Sequence, residues 1–200
     1  FSTGYYVGQG NTPNKVYEGG SQYGGVKDEI TPINTDPSLQ EKYKIISCCP
    51  FCGKESITIR GDTDSLRIIH QCTNPDCGEE VPVYISDQEV YRYLPTFIVA
   101  TLDKMAIAAW SKEFKSIFGK VSGKCPRHGF VTGEHCLYKK KPYHNEDPNL
   151  CTIDRYLPVN LHDPVPSLII QDEMHLIRES LGTYDSHYET FLTHYIQELT

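Results

Sequence analysis

Three rhythms of apolar and polar residues run along this 200-residue chain. Short apolar runs bounded by turn residues are the first. Gly4-Tyr5-Tyr6-Val7-Gly8 precedes a stretch rich in Gly, Pro, Asn and Ser, and predicts a strand followed by a loop. Pro95–Leu102 and Ser167–Gln171 are apolar at consecutive positions, and predict strands buried on both faces of a parallel sheet. Helical spacing is the second rhythm. Asp103 stands where an N-cap belongs. Met105, Ala106, Ala109, Trp110, Phe114 and Ile117 then recur every three or four residues, and Gly119 can close the helix. Leu181, Tyr184, Tyr188, Phe191, Tyr195 and Leu199 recur in the same way, which predicts an amphipathic helix to Thr200. Alternation is the third: Ser56–Arg60, Leu66–Gln71 and Val81–Ser86 predict three short strands.

Strand, helix, long excursion, strand, helix is an α/β arrangement around a parallel sheet. The cysteine-bearing stretches read as insertions on it. The segments expected are residues 1–40, strand and loop; 41–90, a self-contained cysteine module; 91–119, strand and helix; 120–165, an irregular Cys/His-rich insertion; and 166–200, strand and helix.

Eight cysteines are many for this length, and their spacing is that of metal ligands rather than of a secreted disulfide framework. Cys49-Pro-Phe-Cys52-Gly53 is a zinc knuckle, in which Pro and Gly let both thiolates face one metal. Cys72-Thr-Asn-Pro-Asp-Cys77-Gly78 is its wider partner. The 19 residues between Cys52 and Cys72 suffice for a β-hairpin that brings the halves together. Four thiolates leave no open position, so the site is structural rather than catalytic. Cys48 is the spare thiol.

Cys125-Pro-Arg-His128-Gly129 repeats the knuckle spacing with His in place of Cys. Cys136 and Cys151 can complete a set of three Cys and one His for a second zinc, with His135, His144 and His162 competing for the fourth place. The plain alternative is buried cysteines and surface histidines. Lys139-Lys140-Lys141, between Tyr138 and Tyr143, can touch phosphates or simply face water.

The run Leu168-Ile169-Ile170-Gln171 ends in Asp172-Glu173-Met174-His175. Parallel sheets place ligands at the C-terminal ends of their strands. There, Asp172 can hold the Mg2+ of bound ATP and Glu173 can polarise the attacking water. The same acidic pair fits two other classes. One is a nuclease metal site, for which no further acidic or Lys partner lies nearby. The other is a non-enzymatic zinc-ribbon module binding nucleic acid or protein, with the pair as a solvated strand end.

A net charge of -7 excludes an overall basic coat for nucleic acid without excluding a local basic groove. The chain has no run of 18 apolar residues, so no membrane-spanning segment is expected. Metal-type cysteine spacing points to a reducing, cytoplasmic setting.

With these pieces in order the chain resembles the superfamily-two DExH helicases, and in particular the large helicase of DISARM-type phage-defence systems. Gly4–Gly8 with Thr12-Pro13-Asn14, the cysteine ribbon, Val90-Tyr-Arg-Tyr-Leu-Pro95 and Phe97–Ala106 carry the resemblance. So do Cys125-Pro-Arg-His-Gly129, the extended box Leu168–Ile177, Leu181-Gly182-Thr183 and Tyr188-Glu189. It covers nearly the whole chain and implies part of the first RecA-like motor domain of an ATP-dependent helicase or translocase. It implies catalytic roles for Asp172, Glu173 and His175, the last linking the ATP and nucleic-acid sides. It implies backbone contacts from Thr101 and Lys104, ATP and Mg2+ as cofactors beside structural Zn2+, and DNA ahead of RNA as the track. Other defence-system proteins are candidate partners. Two departures stand out. No Gly-x-x-x-x-Gly-Lys-Ser/Thr phosphate loop occurs in the 200 residues, and Glu179-Ser180 replaces the family's Gly-Pro. Lacking that loop and an initial Met, the chain reads as an internal piece of a longer protein, catalytically silent alone.

Overall fold

The computed structural model describes residues 1–8, 12–13, 30–101, 104, 112–138, 151–161, 166–168, 170, 190, 193, 194 and 197. The described residues are mixed α/β, with a small parallel sheet and two Cys/His clusters that could each hold a metal ion.

Strand β1 (Thr3–Tyr6) is the middle of the parallel sheet. On one side it pairs with β5 (Val83–Tyr84), on the other with β6 (Phe97–Ala100), parallel to both. Between β1 and β5 the chain builds α1 (Ile30–Ile33), α2 (Pro37–Tyr43) and an antiparallel sheet. That sheet has the order β2 (Ile57–Asp62), β3 (Arg67–Cys72), β4 (Glu80–Val81). The loop between β2 and β3 turns at Leu66, whose φ is 54°, a left-handed conformation uncommon for a residue with a Cβ. Helix α2 starts at Asp36, whose carboxylate accepts from the Ser38 N–H at 2.8 Å, with Pro37 in the first turn.

The segment expected as one strand over Val81–Ser86 is two. Pro82 has no N–H to give to a ladder. β4 completes the antiparallel ribbon and β5 crosses into the parallel sheet. After it, α3 (Asp87–Tyr93) is a helix that periodicity did not predict. Its start is a capping box. Ser86 Oγ accepts from the Glu89 N–H at 3.2 Å, and the Glu89 carboxylate accepts from the Ser86 N–H at 3.1 Å.

The cysteine module is not self-contained. Ile30, Ile33 and Tyr43 pack in one buried cluster with Ile57, Ile59, Leu66, Ile68, Val81, Val83 and Ile85. The same cluster takes in Cys125, Val131, Cys136, Tyr138 and Cys151 from the second insertion. The ribbon alone has few apolar side chains, so it buries them against its neighbours. A second cluster, Tyr6, Tyr91, Phe114 and Phe118, joins the parallel sheet to α3 and to the 3-10 helix Lys112–Phe118, which Gly119 ends. Asp103 and residues 105–111 of the expected helix lie outside the described residues.

The two runs expected as buried strands are largely exposed where they are described, with Pro95 buried and Ile98 half-buried. In β6, Phe97 and Val99 are 58% and 51% exposed. Ser167, Leu168 and Ile170 are not in regular structure, and Leu168 and Ile170 are 75% and 82% exposed. A strand is buried on both faces only where covering layers and a neighbour exist on each side. Among the described residues, β6 pairs with β1 alone. Of the C-terminal helix, Thr190, Thr193, His194 and Gln197 are helical and exposed.

Candidate metal centres

Four thiolates meet at the base of the ribbon. Cys49 and Cys52 lie on a knuckle closed by the Cys49 carbonyl, which accepts from the Gly53 N–H at 2.8 Å. Cys72 ends β3, and Cys77 lies on a second knuckle where the Asn74 carbonyl accepts from the N–H groups of Cys77 and Gly78. Gly53 and Gly78 have φ of 71° and 61°, which a glycine adopts without strain. The Sγ atoms of Cys49 and Cys77 are 3.8 Å apart, as are those of Cys52 and Cys72. A tetrahedron with metal–sulfur bonds of about 2.3 Å has edges of about 3.8 Å, whereas a disulfide holds its sulfurs at about 2.05 Å. All eight cysteines are free. The Lys54 backbone N–H, more than any other group, pulls the Cys52 thiol down to about 6, toward the thiolate that binds metal. Cys48, one residue away, is exposed and outside the cluster.

The second cluster is more deeply buried. β7 (Gly123–Cys125) and β8 (Gly129–Val131) form a two-stranded knuckle around Cys125 and His128, and Cys136 and Cys151 close on it. Cys125 Sγ is 3.7 Å from Cys151 Sγ and 3.8 Å from His128 Nδ1, and Cys136 Sγ is 3.5 Å from the same nitrogen. Mixed sulfur–nitrogen edges of a zinc tetrahedron are about 3.6 Å. Burial holds the His128 imidazole neutral, its pKa lowered to about 4 with help from Arg92 and Arg127. Neutral imidazole is the form that ligates a metal. Burial also pushes the Cys136 thiol up to about 12; a cation among these thiols would stabilise their ionised forms. Among the competing histidines, His135 is exposed and outside the cluster, while His144 and His162 lie outside the described residues.

Both donor sets therefore fit zinc in number, softness and spacing. Each is closed by four protein ligands. That suits a structural ion and leaves no position for a substrate.

The other expected site residues fare differently. Thr101 is exposed beyond β6, its N–H donating to the Tyr6 carbonyl at 3.2 Å. Lys104 is largely buried beside α3. It is 9% exposed, its Nζ 2.5 Å from Asp87 Oδ2 and 5.3 Å from the Tyr6 ring centre. The ammonium follows the carboxylate that burial would otherwise leave uncompensated. Asp172, Glu173 and His175, like Lys139-Lys140-Lys141, lie outside the described residues.

Sequence reasoning missed a buried polar layer over α3. Glu89 is fully buried and accepts from Ser86 Oγ at 2.9 Å and from the N–H groups of Ile68 and Ile85 at 3.3 and 3.4 Å. Arg67 Nε lies 3.7 Å away. Arg92 spans both metal modules, donating to Ser65, Leu66 and His128 carbonyls. Only the Ser86–Glu89 capping spacing was visible as a signal.

No protein-family model matches the chain. Over 209 aligned residues, 96% of the chain is 33% identical to the DISARM protein DrmA of Bacillus paralicheniformis. The chain is a homologue of one segment of that protein. It spans 17% of that relative's length. Hemolin of Manduca sexta is 24% identical over 123 residues, 58% of this chain and 29% of that protein. That likeness is too divergent and too partial to carry fold or function. No helix among the described residues is long and apolar enough to cross a membrane.

Proposed function

We propose that the chain is part of the first, RecA-like motor domain of an ATP-dependent helicase or translocase acting in prokaryotic anti-phage defence, with two structural zinc insertions. The observation that carries this is the 33% identity to the DISARM protein DrmA across 96% of the chain. The parallel pairing of β1 with β5 and β6 is compatible with such a sheet, in which, among the described residues, β6 has no strand on its outer side. In this reading Asp172 holds Mg2+, Glu173 polarises water and His175 links the ATP side to the nucleic-acid side. Thr101 faces the backbone of the track, DNA ahead of RNA. Lys104, which pairs with Asp87, contacts the same backbone. Zn2+ at the two closed clusters would supply rigidity and no chemistry. The setting is the cytoplasm, with other defence proteins as partners.

The test is ATP turnover. Phosphoryl transfer needs the phosphates held, the Mg2+ bridged and the transition-state charge neutralised together, an arginine finger alone being worth roughly 10³–10⁵ in rate. These 200 residues carry no phosphate loop, so they are expected to be silent alone even with DNA. A longer protein containing them is expected to hydrolyse ATP and to lose turnover, with ATP binding retained, on Glu173→Gln. Turnover indifferent to that substitution rejects the reading. It would favour the second one, a non-enzymatic zinc-ribbon module, for which the four-ligand closure of both clusters speaks.

A further inference from the structure

We propose that the two metal centres are coupled through Arg92, so that an ion at either cluster tightens the other. This rests on the reading of both clusters as metal sites.

Arg92 lies in the last turn of α3 and is 2% exposed. Its Nε donates to the Gln88 carbonyl within α3 at 3.3 Å, and its two terminal nitrogens divide their donors between the two modules. On the ribbon side it donates to the Ser65 carbonyl at 2.7 Å and the Leu66 carbonyl at 2.8 Å. These are the residues of the turn joining β2 to β3, where Leu66 is held at positive φ. On the other side it donates to the carbonyl of His128 at 3.3 Å. His128 is itself a ligand of the second cluster. One cation thus grips the strained turn of one metal module and a ligand residue of the other.

Three further contacts reinforce the junction. Arg127, beside His128, donates to the Asp64 carbonyl and lies 3.6 Å from its carboxylate. Gly129 packs so closely that an added Cβ would lie 2.4 Å from the Arg92 carbonyl oxygen, at a φ of 88°. Tyr138, two residues after Cys136, donates to Gln88 Oε1 at 2.6 Å. Its ring lies 5.0 Å from the Arg92 guanidinium and 4.9 Å from the His128 ring.

The coupling follows from these contacts. An ion on Cys125, His128, Cys136 and Cys151 fixes the His128 ring and with it the carbonyl that Arg92 uses. Arg92, so fixed, holds Ser65 and Leu66, which close the hairpin carrying Cys72 at its far end. The path runs equally in reverse, because coupling between binding sites is reciprocal in free energy. A merely structural Arg92 would weaken both sites when removed, yet leave each indifferent to occupancy of the other.

The experiment measures the affinity of each site separately in the purified protein. Cobalt(II) replaces zinc, since a site of four thiolates and a site of three thiolates with one imidazole differ in their visible spectra. Chelator competition is run on wild type, Cys136→Ser, Cys52→Ser, and each of these combined with Arg92→Met. Cys136→Ser is expected to weaken the ribbon site about tenfold, within the usual range of coupled sites. Cys52→Ser is expected to weaken the second site by the same factor. With Arg92→Met present both factors should fall to near one. Arg92→Lys, which keeps the charge but not the fork, and Arg127→Ala, at the half-exposed link, should reduce them in part. They serve if Arg92→Met does not fold. Two ions bound with affinities independent of each other would overturn the proposal, as would a factor that survives every Arg92 and Arg127 variant. A wild-type protein that binds neither ion would instead reject the metal reading beneath it.

Discussion

Lys104 Nζ and Asp87 Oδ2 stand 2.5 Å apart with both side chains largely buried, tying the segment beyond β6 to the first turn of α3. Burial pushes the Asp87 carboxyl above its usual range, and the Lys104 bond works against that shift. Lys104→Ala strands a buried carboxylate and is expected to cost about 3 kcal/mol. Asp87→Asn, which keeps the shape, should cost less. Denaturant unfolding measures both. A Lys104→Ala protein of unchanged stability but weaker nucleic-acid binding would leave Lys104 with the nucleic-acid role alone.

Metal analysis tests the two clusters. The protein is expected to carry two zinc ions per chain, Cys52→Ser with Cys77→Ser removing one and Cys125→Ser with Cys151→Ser removing the other. Stripping the ribbon should unfold residues around β2–β4, because their apolar side chains are too few to hold the hairpin without the ion. A stoichiometry of one, insensitive to Cys125 and Cys151, would leave the second group as ordinary buried side chains.

Glu89 is the acceptor on which the ribbon and α3 converge. Arg67 keeps Glu80 at 2.8 Å, but Glu89→Ala leaves the Ser86, Ile68 and Ile85 donors without their buried acceptor, for an expected loss of about 1–3 kcal/mol. Glu89→Gln still offers an oxygen and should lose clearly less. Equal losses in thermal or denaturant unfolding would mean that packing alone, not the charge and its donors, sets the value of the position.

His70, on β3, is fully buried, and its Nε2 accepts from the Ile45 N–H at 3.2 Å. Burial lowers its pKa from 6.5 to about 4. The unfolded chain takes up a proton below pH 6.5 that the folded chain refuses until about pH 4. Stability from this group is therefore complete above pH 6.5 and falls as the pH drops from 6.5 to 4, by about 3 kcal/mol at most. Imidazole NMR shifts should show His70 neutral at pH 5.5. A midpoint near 6.5 in the folded protein contradicts this.

How much of this was legible in the sequence depends on the range of the information. Cys49, Cys52, Cys72 and Cys77 are chosen by spacing over a few residues, and a knuckle is a local structure. The partners of Cys125 and His128 are not, and only the folded backbone separates Cys136 and Cys151 from His135. The helices α1 and α2 are too short for an apolar period to register. The Asp36-Pro37 and Ser86–Glu89 caps are short polar patterns with no periodic stripe behind them, and neither helix was expected. Val81–Ser86 was expected as one strand, whereas Val81 and Val83, either side of Pro82, serve different sheets. The apolar runs at Phe97 and Leu168 read as doubly buried strands, and both are largely exposed where they are described. Burial, though, depends on neighbours that an isolated run does not specify.

The parallel pairing of Thr3 with Val83 joins segments about eighty residues apart, and bringing such ends together costs chain entropy before any ladder bond forms. The ribbon lies inside that loop. Once its four thiolates are clamped, much of the loop is no longer slack chain but a short rigid spacer delivering Val83 to β1. Metal capture ahead of sheet formation is the order this favours, and a chain deprived of zinc would be expected to pair β1 with β5 more slowly.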